Sequence, residues 1–409
     1  MLNIKQFLFF SIIITLFASC SDDNMNEGPN PTNELENPDS YQFLRDGAST
    51  VSFSGQTERI GMATELVDAM VNFESTEEQL LEMYSNQTAS GADANPFSDA
   101  SLNSSTKSVK SKVAASNDLF STNSVESAEI KEALESMIKA QVSEVFPNQN
   151  ELASLGVAGQ IADGSSVRYV NASGLEYNQA VNKSLIGALM VDQMLNNYLS
   201  TSVLDEGSNI EDNNNGIIAD GEVYTNMEHK WDEAFGYLFG APGADYTDPL
   251  NTLGGGAFLN KYLARVEGDE DFKGIANEIF EALKLGRTAI VTKDYDLRDE
   301  QADIVIDRIS EVIGVRAVYY LQQGKIALAN GTLGTAFHDL SEGYGFVFSL
   351  RFVKNSNTDA AIFSKSEVDS FINLLTAGNG FWDIDSATLD QISNDIAAKF
   401  DFTVEQAGS

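Results

Sequence analysis

The sequence predicts an all-α protein, and two observations carry that expectation: apolar residues recur at helical spacing along most of the chain, and only one stretch alternates as a strand would. Amphipathic helices without alternating strands pack as bundles. The first helical pattern runs from Gln56 to Ser85, with Ile60, Ala63, Leu66, Val67, Met70 and Val71 on its apolar side. A Ser75-Thr76-Glu77-Glu78 step inside it offers a new cap before Leu80, Leu81 and Met83, so a second helix should start there. Residues 86–125 are dominated by Ser, Asn, Ala, Asp and Thr and read as a long, partly disordered loop. Helical patterns return at 127–146, 174–200, 222–240, 257–265, 271–292, 297–329, 333–352, 365–377 and 386–398. Val167-Arg168-Tyr169-Val170, between Gly-containing turns, marks one short β-hairpin within 155–173. The helical domain is expected over residues 41–405, in one or two bundles.

Residues 1–19 are an address rather than structure. Lys5 precedes an apolar run from Phe7 to Phe17 that is too short to span a bilayer and ends on Ala18-Ser19-Cys20, as an exported signal peptide does. Phe17-Ala18-Ser19-Cys20 resembles a relaxed bacterial lipobox, so Cys20 becomes the lipidated first residue of the mature chain. Several acyl chains there would anchor it stably. Ser21-Asp22-Asp23 resembles the acidic signal that sends lipoproteins of Bacteroidota to the outer face of the outer membrane. The Pro-, Asn- and acid-rich residues that follow, to about Ser40, read as a flexible tether. The expected location is therefore the outer membrane, lipid-anchored and exposed at the cell surface.

Composition limits the chemistry. With 25 Lys and Arg against 61 Asp and Glu, the net charge of -36 argues against nucleic acid as a partner, because no basic stripe is available to displace phosphate counterions. A single Cys excludes a disulfide framework and Cys-based metal centres, leaving His, carboxylate and carbonyl ligands. There is no Gly-rich phosphate loop, GxSxG elbow, HExxH motif or Cys nucleophile, and Gly254-Gly255-Gly256 runs into Ala257-Phe258 rather than a Lys-Ser or Lys-Thr pair.

The chain holds only two histidines, and both fall in one internal repeat. Residues 229–239 run His-Lys-Trp-Asp-Glu-Ala-Phe-Gly-Tyr-Leu-Phe, and residues 338–348 run His-Asp-Leu-Ser-Glu-Gly-Tyr-Gly-Phe-Val-Phe. The offset of 109 residues suits two related helical halves. His229 and Glu233, like His338 and Glu342, stand four apart and so lie on one helix face, where each pair can converge on a point. Two such helices face to face would offer two imidazoles and two carboxylates, a ligand set for iron or zinc. Set apart, each pair is a half-site or a hydrogen-bonded core pair. Gly236 and Gly345 should allow close helix approach.

A second candidate lies just upstream. Glu211 to Glu222 can be set on the calcium-binding EF-hand loop, with Glu211 first, Asn213 third, Asn215 fifth, Gly216 at the turn, Ile217 giving its carbonyl and Glu222 the bidentate twelfth ligand. Asp is preferred at the first place, and a solvated Asn-rich turn is the alternative.

Several motifs resemble one family. Tyr41-Gln42-Phe43-Leu44-Arg45, Ser49-Thr50-Val51-Ser52-Phe53-Ser54-Gly55-Gln56-Thr57 with Arg59, Gly174-Leu175-Glu176-Tyr177-Asn178-Gln179 and His229-Lys230-Trp231-Asp232-Glu233-Ala234-Phe235-Gly236-Tyr237 look like the Bacteroidota lipoprotein family known as domain of unknown function 4856, over about residues 40–400. The chain is also distantly similar to the imelysin-like proteins, all-α two-bundle proteins of iron-uptake systems with a Gly-x-His-x-x-Glu motif. Here the spacing is His-x-x-x-Glu and the preceding Gly is absent. The resemblance implies a surface lipoprotein of iron acquisition, working beside an outer-membrane receptor.

Three functions follow as expectations. The first is a binding protein for a metal ion or metal-bearing ligand, held by His229, Glu233, His338 and Glu342. The second is an imelysin-like metallohydrolase or peptidase in which a His-held metal activates water and a Glu acts as base. The third is a calcium-stabilised interaction module without catalysis.

Overall fold

A computed structural model of the chain describes residues 37–409. The expected signal peptide, Cys20 and the tether as far as residue 36 lie outside the described residues. The end of the expected tether is already tied down: Asn37 donates to the Glu281 carboxylate at 2.6 Å, and Lys284 donates to the Pro38 carbonyl at 2.9 Å.

Strands β1 (Leu44–Arg45) and β2 (Ala48–Ser49) form a hairpin closed by Asp46 and Gly47, both at positive φ (52° and 84°). That pair is what a two-residue type I′ turn requires, and Asp-Gly is the residue pair that tolerates it. The hairpin leads into α1 (Ser54–Ala69) and α2 (Glu77–Ser85), the latter started by Thr76, whose hydroxyl accepts from the Gln79 amide at 3.1 Å. Two single-turn helices follow, α3 (Ala100–Asn103) and α4 (Asn117–Phe120), before α5 (Ser124–Ala140). The one hairpin expected from sequence is β3 (Gly159–Asp163) with β4 (Ser166–Val170), antiparallel with Gly159 opposite Val170. It leads into α6 (Tyr177–Leu185), which continues with wider π-type bonding over Ile186–Val191 and Met194–Tyr198.

Then come α7 (Thr201–Leu204), α8 (Asn209–Asn215), α9 (Asn226–Phe239), α10 (Phe258–Glu267), α11 (Ile275–Thr292), α12 (Tyr295–Ala329) and α13 (Leu333–Ser349). A third hairpin, β5 (Lys354–Asn355) with β6 (Ala360–Ala361), precedes α14 (Lys365–Thr376), α15 (Ser386–Ala397) and α16 (Val404–Ala407). The fold is all-α with short hairpins. Residues Glu36–Ser409 make one contact unit. Its axis is α12, at 35 residues the longest helix, buried all round from Val312 to Val318 and packed by α10, α11, α13 and α15. A helix apolar on every side belongs in a core. Among the described residues, no helix is long and apolar enough to cross a membrane.

Residues 86–125 differ from the loose loop expected. Val109, Val113 and Ala114 are fully buried, and Asn86 bonds the carbonyls of Ser105 and Lys107 at 2.9 and 2.8 Å. Polar side chains here fix the backbone in place of an apolar period, which is why periodicity missed the order. The main anchor is Asp192, wholly buried on the helix running on from α6, accepting from the amides of Ala115 and Ser116 (2.9 and 3.0 Å) and the Ser116 hydroxyl (2.6 Å). Burial pushes its pKa up to about 6, against the lowering effect of those bonds. A folded pKa above the unfolded value means that the native state holds the proton more tightly, so this group's contribution to stability falls as pH rises from about 4 to 6. Urea titrations should show Asp192→Asn losing roughly 3 kcal/mol of that pH dependence; curves for native and variant that stay parallel between pH 4 and 7 would refute it.

Candidate functional site

The two halves announced by the histidine repeat are built alike. In the first, Thr225 caps α9 in a capping box with Glu228, setting His229 in its first turn. A carbonyl can only accept, so His229 donates from Nδ1 to the Ser52 carbonyl at 3.0 Å, just ahead of α1. Its Nε2 faces Glu233 at 3.9 Å, and the Tyr224 ring stacks on it with centroids 4.7 Å apart. Glu233 accepts from Gln56, the third residue of α1, at 3.0 Å.

In the second half, His338 sits on α13 with Nδ1 3.2 Å from the carboxylate of Glu176, the residue ahead of α6, and Nε2 3.5 Å from Glu342. Glu342 is paired with Lys183 of α6 at 3.0 Å and accepts from the Tyr262 hydroxyl at 3.2 Å. Lys183 also donates to Gln179, the third residue of α6, at 2.7 Å. Glu176, Glu342 and Lys183 are all buried, at 3%, 6% and 3% exposure.

The two repeat glycines explain the shared geometry. A Cβ on Gly236 would stand 2.4 Å from the Phe53 side chain at the start of α1, and one on Gly345 would stand 2.4 Å from Lys183 on α6. Each His/Glu helix thus lies tight on the helix that follows a hairpin, α9 on α1 and α13 on α6. The close approach expected of these glycines is real, but it is made to α1 and α6 and not between the two His helices. His229 and His338 have no side-chain partner in common, and the cleft that holds His338 and Glu342 does not include His229 or Glu233. The structure brings each pair together and keeps the pairs apart.

What differs is the surroundings. The second pair lies on the floor of a cleft of about 520 Å³, walled by α1, β4, α6 and α10, with Lys261, Arg265, Arg168 and Asp68 among its lining. Burial works to raise the Glu342 pKa, but Lys183, His338 and a hydrogen bond from Tyr320 outweigh it and hold the carboxyl at about 2. Burial in turn lowers the Lys183 pKa, against the raising effect of Glu342. Neighbouring Asp339 is pushed up to about 6, chiefly by burial.

The first pair is backed instead by a buried ionic knot. Arg287, on α11 and without exposed surface, bonds Glu228 at 3.1 Å, Asp232 at 3.0 Å and the Thr50 hydroxyl at 3.0 Å, with its guanidinium 4.8 Å from the Phe43 ring. Tyr41 donates to Asp232 at 2.7 Å, and Arg45 grips both oxygens of Glu228 at 3.1 Å. Trp231 donates to the Leu283 carbonyl at 2.9 Å. Residues of the Tyr41–Arg45 and Ser49–Thr57 motifs thus hold the β1–β2 hairpin and the start of α1 onto α9 and Arg287.

The expected calcium loop takes another conformation. Glu211, Asn213 and Asn215 lie on or in the last turns of α8, where residues two apart point to opposite sides, so they do not converge. Asn213 is spent on structure: it donates to the Ile290 carbonyl (2.8 Å) and Tyr295 hydroxyl (3.1 Å) and accepts from Thr225 (2.8 Å). Ile217 and Glu222 follow on an exposed turn, where the Ile217 amide closes α8 on the Asp212 carbonyl at 2.8 Å. A bound calcium would have to unwind α8. Among the described residues, no three His, Cys, Asp or Glu side chains form a ready metal cage.

Sequence reasoning did not single out Glu176, Lys183, Asp232 or Arg287. Glu176 and Asp232 stood inside quoted motifs, and a buried-charge reading of those motifs could have found them. Lys183 and Arg287 carry no local signal, since each is one of several polar residues on its helix and only the packing shows which of them is buried.

An all-α fold with paired hairpin-helix halves, each carrying a His/Glu helix, defines the class of protein. The chain belongs to the family described as Domain of unknown function (DUF4856), whose model matches residues 38–403. No curated protein and no solved structure matches it.

Proposed function

We propose that the chain is a cell-surface lipoprotein that binds a metal-bearing ligand in the cleft at His338, serving iron acquisition. One observation carries the binding part: an imidazole whose two nitrogens face two buried carboxylates, Glu176 and Glu342, on the floor of an open cleft large enough for a small molecule. A metal delivered with some of its ligands needs only one or two donors from the protein, and His338 can supply one. A bare ion would need Glu342, which Lys183 already engages. The same pairing argues against the hydrolase reading, because a carboxyl held at about 2 is a weak general base near neutral pH. The surface location rests on the leader and Cys20, and the iron role and receptor partner rest on the imelysin-like resemblance.

Metal content of the intact chain, purified without chelators, tests the reading. Iron or zinc should accompany the native protein, fall by most of its amount in His338→Ala and persist in His229→Ala. Equal metal in all three, or none in the native protein, would remove the cleft from consideration. Cys20→Ser should move the chain out of the membrane fraction; unchanged fractionation would count against lipidation.

A further inference from the structure

In a chain with a net charge of -36, the lining of the cleft at His338 carries four cations, Arg168, Lys183, Lys261 and Arg265, against three acids, Asp68, Glu176 and Glu342. Part of this charge is neutralised: Lys183 pairs with Glu342, Arg168 with Asp163, and Glu176 is engaged by His338. Two cations of the lining are left over, with a third behind them. Among the described residues, Lys261 on the cleft wall makes no ion pair, and Arg265 bonds only the Tyr320 hydroxyl, at 2.8 Å. Arg316, only 4% exposed, packs behind them with its guanidinium 4.0 Å from the Tyr319 ring and 4.6 Å from that of Tyr320. Its Nε and one Nη have no hydrogen-bond partner.

Two of these, Arg265 and Arg316, meet the paired Lys183 around one side chain. Lys183, Arg265 and Arg316 stand 5.4, 5.4 and 5.7 Å from the ring of Tyr262, whose hydroxyl bonds Glu342, the one carboxylate in the group. Aromatic faces attract cations but supply no net counter-charge. Lys183 and Arg316 are buried while Lys261 and Arg265 are exposed, so a cation group with few anions, partly desolvated at its back and open at its mouth, attracts a negative ligand. The remaining free acid of the lining, Asp68, sits across the cleft on α1.

Building on the metal-bearing-ligand reading, we infer that the cleft takes a small oxyanion with at least two negative groups, and that the metal arrives as its chelate. Lys261 and Arg265 hold the oxygens at the mouth, while Lys183 and Arg316 supply the field behind them. His338 is then left to meet the metal or a hydroxyl of the ligand. A bare divalent cation would be repelled at the mouth.

Calorimetric titration of the full-length chain in detergent decides the matter, with ferric citrate, citrate alone, inorganic phosphate and zinc chloride as probes. Ferric citrate should bind, lose at least about tenfold in affinity in Lys261→Glu/Arg265→Glu, and weaken as salt rises. Both side chains have exposed heads, so thermal unfolding of the variant should match the native chain; should it not, Lys261→Gln alone should still cost a few-fold in affinity. Ferric citrate binding that ignores both variants would overturn the assignment to this cleft. Phosphate binding without ferric citrate would overturn the chelate. Zinc binding without ferric citrate would overturn this inference while leaving the metal-binding reading standing, and silence from every probe would remove both.

Discussion

Arg287→Met is expected to destabilise the fold by about 3–5 kcal/mol, the usual cost of removing one partner from a buried ionic group. The substitution keeps most of the volume but strands Asp232, which is wholly buried, and takes from Glu228 the cation on its inner side. Even with Arg287 present, burial holds the Asp232 carboxyl above its ordinary pKa, opposed mainly by that guanidinium. Without it, Asp232 must take up a proton or the strap of Tyr41, Thr50 and Ser52 must open to let water in. Urea denaturation reads the loss as a shifted midpoint. Adding Asp232→Asn to Arg287→Met should recover part of it, because a neutral amide needs no counter-ion. A loss below about 1 kcal/mol in the single variant would mean that the knot is solvated and the argument from burial is wrong.

Lys183→Met should have the second largest effect, and its signature is a reversed pH dependence. In the native chain the folded pKa of Glu342, about 2, lies below its ordinary value. Its stabilising contribution is therefore present above about pH 4.5 and is lost as pH falls toward 2. Removing Lys183 leaves burial as the dominant influence, which raises the folded pKa above the unfolded one. The variant should lose about 3–5 kcal/mol at pH 7 and regain part of that by pH 5, as Glu342 takes up a proton. Native and variant unfolding curves that shift in parallel between pH 5 and 7 would contradict this. The same variant should bind ferric citrate more weakly at pH 7, since the floor of the cleft has lost a cation.

Much of the secondary structure was legible because it depends on short-range pattern. The Thr76 cap, the hairpin in 155–173 and the long helices of the second half appear where apolar spacing and caps placed them, within a few residues. The β1–β2 hairpin was also written locally, in Asp46-Gly47 between short extended runs, but its two-residue strands are too brief for alternation to register. The Asn-rich segment at 211–222 shows the opposite failure. Its ligand-like spacing matched a loop, whereas tertiary bonds from Asn213 to Ile290, Tyr295 and Thr225 favour helix α8.

The sequence by itself determined the helical class, the family resemblance, the His/Glu pairing one turn apart and the two glycines that bring each His helix against its neighbour. All of these depend on identity and spacing within a few turns of chain, where helix geometry converts position directly into direction. Only the tertiary structure decided that the two pairs stand apart, that one is backed by Arg287 and that the other opens into a cation-lined cleft. Lys183 lies 159 positions from Glu342, and Arg287 lies 55 from Asp232. Charges buried side by side interact through the dry space between helices, and that distance is set by packing rather than by separation along the chain.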